Sequence, residues 1–205
     1  MAARASHDLN NALAVFSGHI YLLRESGEPV SEALDAMEKA LDNAERLARN
    51  LAEVGALGVE DPELLDVNEL VRSTIREIPE GRLEVSLDGA LVPLVARPSD
   101  LSRAIGALVQ NAREADGGSA TILVSTDQNS SEVRIVVEDS GAGIPEVVRR
   151  RDFDPLFSTS GERGRGLGIT IARLAVLMAG GRLSIEQRPG GGTRAVLALP
   201  RPALG

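Results

Sequence analysis

The chain is predicted to be an α+β protein, a helical hairpin followed by a two-layer α/β sandwich. Two observations carry this. Up to Leu51 the large apolar residues recur in steps of three and four. Beyond a segment rich in glycine and proline, short alternating runs are interleaved with helical ones. Composition agrees: of 205 residues, 43% are hydrophobic and 25% charged, an ordinary balance for a chain that buries a core. A net charge of -8 argues against a general nucleic-acid surface. The absence of cysteine excludes disulfides, a thiol nucleophile and thiolate metal sites. No apolar run approaches the roughly 20 residues that cross a bilayer. The stretch through Asn11 has no secretory apolar segment, so a cytoplasmic chain is expected.

Leu9, Leu13, Phe16, Ile20 and Leu23 follow the spacing of a coiled-coil seam and predict the first helix. Ser26-Gly27-Glu28-Pro29 ends it. Leu34, Met37, Leu41, Ala44, Ala48 and Leu51 predict a second helix. One narrow apolar seam per helix is too small a core to stand alone. Pairing with a second copy into a four-helix bundle would bury both seams, so a homodimer is expected. The hairpin domain is placed at 1–56, a linker at 57–66 on the breakers around Gly58 and Pro62, and a second domain at 67–205.

In that second domain a helix is predicted from Asp66 to about Ile78. Leu83–Leu87 alternates as a strand, and Leu91–Val95 is a second candidate. Pro98 suits the first turn of a long helix reaching Ala115. Ala120–Thr126 and Glu132–Glu138 read as strands around a polar turn. A helix runs from Gly166 to Met178 and stops at Gly180-Gly181. Arg182–Arg188 and Thr193–Leu199 are strands joined by Pro189-Gly190-Gly191-Gly192.

Three segments carry chemistry. Advancing about 100° per residue puts the seam of the first helix about 160–240° away from His7, with Asp8 about 100° and Asn11 about 40° round. The imidazole is thus expected to face outward, where near neutral pH it is largely unprotonated and nucleophilic. His19 has no comparable neighbours. Asp139-Ser140-Gly141-Ala142-Gly143 follows an apolar strand: a carboxylate at a strand end can accept a hydrogen bond from an amine such as adenine's, and glycines let the backbone approach a flat ligand. Gly161 to Gly168 then supplies four glycines at the start of a helix, where backbone N–H groups and the helix dipole suit phosphate. It is neither a P-loop nor a GxGxxG motif. Asn111 could offer an oxygen to Mg²⁺ beside such phosphates.

Taken in order, these segments resemble the two-component sensor histidine kinases along nearly the whole chain. His7-Asp8-Leu9-Asn10-Asn11 is similar to their histidine box and Asn111-Ala112-Arg113-Glu114-Ala115 to their asparagine box. Asp139–Gly143 resembles the first glycine box, Phe153–Thr159 the phenylalanine box, and Gly164-Arg165-Gly166-Leu167-Gly168 the second glycine box. The resemblance implies a sandwich of the Bergerat ATP-binding type, like that of gyrase, MutL and heat-shock chaperones, behind a dimerisation and phosphotransfer hairpin. It implies ATP and Mg²⁺, autophosphorylation of His7 assisted by Asp8, and transfer to an aspartate of a response regulator. Asn11 would position water for phosphatase action on that regulator. Asn111 would hold the metal, and Asp139 would read adenine beside Gly141 and Gly143. Gly164, Gly166, Leu167 and Gly168 would hinge a lid over the phosphates, docked by Phe153 and Phe157. Catalysis would rest on positioning and charge neutralisation of the transferred group.

Some positions depart from the commonest pattern. Ala12 replaces a frequent proline, Ala107 a frequent second asparagine, and Glu114 a frequent phosphate-contacting lysine, for which Arg163 or Arg165 could substitute. Ala107 also stands where gyrase-like ATPases need a glutamate to activate water, so simple ATP hydrolysis is disfavoured. A non-enzymatic phosphotransfer adaptor with a vestigial nucleotide domain would be expected to lose the asparagine, aspartate or glycines retained here. An anti-sigma serine kinase would leave the hairpin and His7 unexplained. With six residues before His7, the signal is expected from a separate sensor protein or from a longer parent kinase.

Overall fold

A computed structural model describes residues 2–25, 30–76, 83–115, 120–143 and 167–202. The chain divides into two compact units, with the break after Gly55. The turn expected at 26–29 and the segment 144–166, which carries most of the predicted lid, lie outside the described residues.

The first unit is a pair of helices, α1 (Ala2–Glu25) and α2 (Val30–Gly55), packed against one another. Ala33 and Ala40, one heptad apart, are buried. Small residues let the backbones approach, but they bury little apolar area. Leu13, Ile20, Leu34 and Leu41, all on the predicted seams, stay 55, 46, 50 and 48% exposed. A single chain therefore leaves its own seam half uncovered.

The second unit begins with a surprise. The segment 57–66, expected to be a linker, contains strand β1 (Glu63–Leu65), paired antiparallel with β3 (Leu94–Ala96). Leu65, Leu94 and Ala96 turn into the core while their alternates Leu64 and Val95 face out, so a three-residue period is enough once it has a partner strand. Upstream of β1, Gly58 donates its N–H to both carboxylate oxygens of buried Asp100, at 3.2 and 3.1 Å, and Ala56 accepts from Arg103. Helix α3 (Val67–Arg76) is capped by Asp66, whose Oδ1 accepts from the N–H groups of Asn68 and Glu69.

The main sheet has the order β2-β4-β5-β7-β6, from β2 (Leu83–Leu87), β4 (Ile122–Gln128), β5 (Glu132–Asp139), β6 (Arg182–Gln187) and β7 (Thr193–Pro200). β2 runs parallel to β4, and every other pairing is antiparallel. Helices α4 (Pro98–Glu114) and α5 (Leu167–Met178) pack on each other and on the sheet, with α3 against α4. In α4 the residues Leu101, Ala104, Ile105, Leu108, Val109 and Ala112 form one buried stripe. It meets Val133, Ile135 and Val137, the inward alternates of β5. Two buried polar side chains are linked: Thr126 donates to Asn68 at 2.8 Å, and Asn68 donates to the Asp88 carbonyl at 2.7 Å. No helix among the described residues is long and apolar enough to cross a membrane.

Candidate functional site

The period of β5 places the site. After Val133, Ile135 and Val137, the next inward position is Asp139 at the strand's end, buried with 4% of its surface exposed. Its Oδ1 accepts the N–H of Gly141 at 2.8 Å, which bends the chain sharply away from the strand. The bend is pinned to the next strand by two bonds: Ser140 donates its N–H to the Thr121 carbonyl, and Thr121 donates to the Ser140 hydroxyl. Gly141 lies against Ala115 at the end of α4, so a Cβ there would come within 2.9 Å of the alanine methyl. Gly143 has φ +76°, and a Cβ on it would overlap the Gln187 amide. Close approach to Ala115 therefore requires glycine at 141, and the left-handed backbone requires it at 143.

One turn before Ala115, α4 carries Asn111, on the flank beside the core stripe. Its Nδ2 is buried and has no hydrogen-bond partner. Gly168, in the first turn of α5, lies so near that a Cβ would stand 3.3 Å from Nδ2 and 3.6 Å from the Ala107 methyl. A buried polar group left unpaired costs about 1–3 kcal/mol. An amide with one unpaired end, next to a helix N-terminus, fits a metal–phosphate group: its oxygen is a hard ligand and its NH₂ donates to anionic oxygens. Among the described residues no cluster of histidine, aspartate or glutamate could hold a metal ion. Glu114, exposed, accepts from Gln110 at 2.8 Å.

The structure thus brings Asn111, Asp139, Gly141, Gly143 and Gly168 to one end of the second unit, where β5 ends, α4 ends and α5 begins. Leu167 opens α5, and Gly164, Gly166, Phe153, Phe157, Arg163 and Arg165 fall outside the described residues. His7 and Asp8 lie on α1, with side chains outside the description, and Asn11 is exposed on the same helix. Sequence reasoning missed Ala115 as the wall behind Gly141, and Arg188 and Gly192. Arg188 donates from Nη1 to the Asp139 carbonyl at 2.9 Å. Gly192, at φ +87°, passes so close to that carbonyl that any Cβ would overlap it. The only signal was the run of glycines after Pro189, which reads simply as a turn.

A mixed sheet covered on one side by helices, with a buried carboxylate at a strand end and an unpaired asparagine amide at a helix start, defines a two-layer ATPase-type domain. A family described as "Histidine kinase-, DNA gyrase B-, and HSP90-like ATPase" matches residues 96–203, more than half of the chain. The chain belongs to that family, on its histidine kinase branch. It is 27% identical over 215 residues to the sensor-type histidine kinase PrrB of Mycobacterium tuberculosis, covering 98% of this chain and 48% of PrrB. The catalytic domain of histidine kinase ThkA superposes with a TM-score of 0.58 at 26% identity, over 69% of this chain and 97% of that domain. A longer ThkA chain, solved in complex with the response regulator TrrA, has the same fold at TM-score 0.73 and 23% identity, over 98% of this chain and 61% of that one. The chain spans about half the length of the curated relatives it matches.

Proposed function

We propose that this chain is the core of a protein-histidine kinase, which uses Mg²⁺-ATP to phosphorylate His7 and passes the phosphoryl group to an aspartate of a response regulator. A phosphatase action on the same regulator is part of the proposal. The observation that carries it is the buried, unpartnered Nδ2 of Asn111 against the first turn of α5. In this reading Asp139 accepts from the amino group of the base, with Gly141 and Gly143 leaving room for the ring. Asn111 would hold Mg²⁺ through its side-chain oxygen, and the metal would supply charge neutralisation at the phosphates. Gly164, Gly166, Leu167 and Gly168 serve in this reading as the hinge of a lid over the phosphates. The imidazole nitrogen of His7 bonds to the terminal phosphorus as the bond to the ADP oxygen breaks, and Asp8 takes the proton the imidazole loses. Asn11 orients water when the regulator is dephosphorylated.

The half-exposed seam leucines of α1 and α2 support a homodimer closing as a four-helix bundle. The proposed division is a hairpin ending at Gly55 and an ATP-binding domain that starts at Ala56 and takes in β1, in a cytoplasmic setting, with the input from a separate sensor or a longer parent chain. An adaptor with a vestigial nucleotide domain has no support in a site that keeps Asn111, Asp139 and the glycines.

Incubation with labelled Mg²⁺-ATP should give acid-labile, base-stable label that His7→Gln abolishes and that moves to a receiver domain in a transfer screen. Label that survives in the variant, or a chain with no affinity for ATP or ADP, would overturn the reading.

A further inference from the structure

We infer that Arg188 is a positioning residue for the base-reading end of this site, setting how well the chain distinguishes a purine nucleotide with an amine at C6 from one with a carbonyl there. The inference rests on the nucleotide reading above and deepens it.

Arg188 follows β6, where the chain turns through Pro189–Gly192 into β7. It is 49 residues from Asp139 in sequence yet holds it directly, Nη1 to carbonyl at 2.9 Å. The turn that carries Arg188 is itself closed, its N–H donating to the Gly192 carbonyl at 3.0 Å. Its guanidinium also lies 3.8 Å from Oε1 of Glu138, an oxygen that Arg194 approaches to 3.4 Å from the neighbouring strand. Because Gly192 has no Cβ, the turn sits flush on the Asp139 backbone.

Residue 139 is therefore held at two points. Its carbonyl is bound by a guanidinium, a charge-assisted bond stronger than a neutral one. Its carboxylate is bound by the Gly141 N–H. With both fixed, the carboxylate stands oriented before any ligand arrives, and the ordering cost is not charged against binding. A site that reads one amino group with one carboxylate discriminates by position. An analogue that offers a carbonyl instead leaves the buried acceptor facing another acceptor. Releasing the Asp139 backbone lets the carboxylate shift, which blunts the preference.

The test is calorimetry on the full chain with ADP and with GDP, for the parent, Arg188→Ala and Arg188→Lys. Arg188→Ala should weaken ADP about tenfold, the scale of one charge-assisted bond, while GDP changes less, so the ADP-to-GDP ratio falls. Arg188→Lys, still able to donate to the carbonyl, should recover part of that ratio. In autophosphorylation the alanine variant should raise KM for ATP and leave kcat near the parent's. An unchanged ratio in Arg188→Ala, whether or not thermal stability drops, makes Arg188 a packing residue and overturns the inference. A parent chain that binds neither nucleotide overturns the nucleotide reading itself, and this inference with it.

Discussion

Gly168 stands against Asn111 across the gap between α5 and α4, its missing side chain leaving 3.3 Å between a would-be Cβ and the asparagine Nδ2. That spacing separates function from stability. Alanine is a better helix former than glycine by roughly 1 kcal/mol, and Gly168 is in a helix without a positive φ. Gly168→Ala should therefore melt at the parent's temperature or slightly above it, while its methyl crowds the amide and weakens ADP binding. Thermal melts and calorimetry on one preparation check both halves.

Asp139→Asn keeps the side chain's shape and its ability to accept from Gly141, but removes the charge. Nucleotide affinity should fall by roughly 10- to 100-fold, the range of a hydrogen bond to an ionised group. The far-ultraviolet signal of the two long helices should not change. A variant that binds ADP as the parent does would remove Asp139 from the site.

Asp100 is buried and takes the Gly58 N–H on both oxygens, with Arg103 close at 3.5 Å. Asp100→Ala strands that N–H and should cost about 1–3 kcal/mol in urea unfolding of the second unit. Asp100→Asn, with one acceptor left, should cost less.

Glu132 and Arg182 reach across β7 to form a doubly hydrogen-bonded pair. That bond, helped by the nearby charges of Arg182 and Arg134, holds the Glu132 carboxyl below its usual 4.5 despite partial desolvation. A carboxyl lowered by folding stabilises the fold above the unfolded value and stops doing so as pH falls through the folded one. The stability difference between the parent and Glu132→Gln should thus be small at neutral pH, as for exposed pairs generally, and vanish in acid below the lowered value. Denaturation midpoints across that range measure it.

Most of the elements were legible because their periods are long. The stripe from Leu101 to Ala112 and the alternation from Val133 to Val137 each repeat often enough to name a face, and following β5 one step further predicts where Asp139 sits. Three residues, Glu63 to Leu65, repeat too little, so β1 was hidden inside an apparent linker until Leu94–Ala96 supplied its partner. The second strand candidate, Leu91–Val95, shortened to Leu94–Ala96, since Pro93 has no N–H to give a ladder. Parallel pairing of β2 with β4 was invisible, because alternation looks the same in either direction. In the site, residue types could be read locally, whereas Ala115 behind Gly141 and Arg188 behind Asp139 are products of long-range packing that spacing does not encode.

The strand order has a consequence for how the molecule is made. β5 needs two neighbours, and one of them, β7, is the last strand of the sheet to be synthesised, lying between β5 and β6. A ribosome can release the hairpin of α1 and α2 to pair early, but the inner edge of β5 stays open until residues 193–200 emerge. Nascent chains stalled before that point would expose Ile135 and Val137 beside an unpaired ladder, an invitation to chaperones and to aggregation.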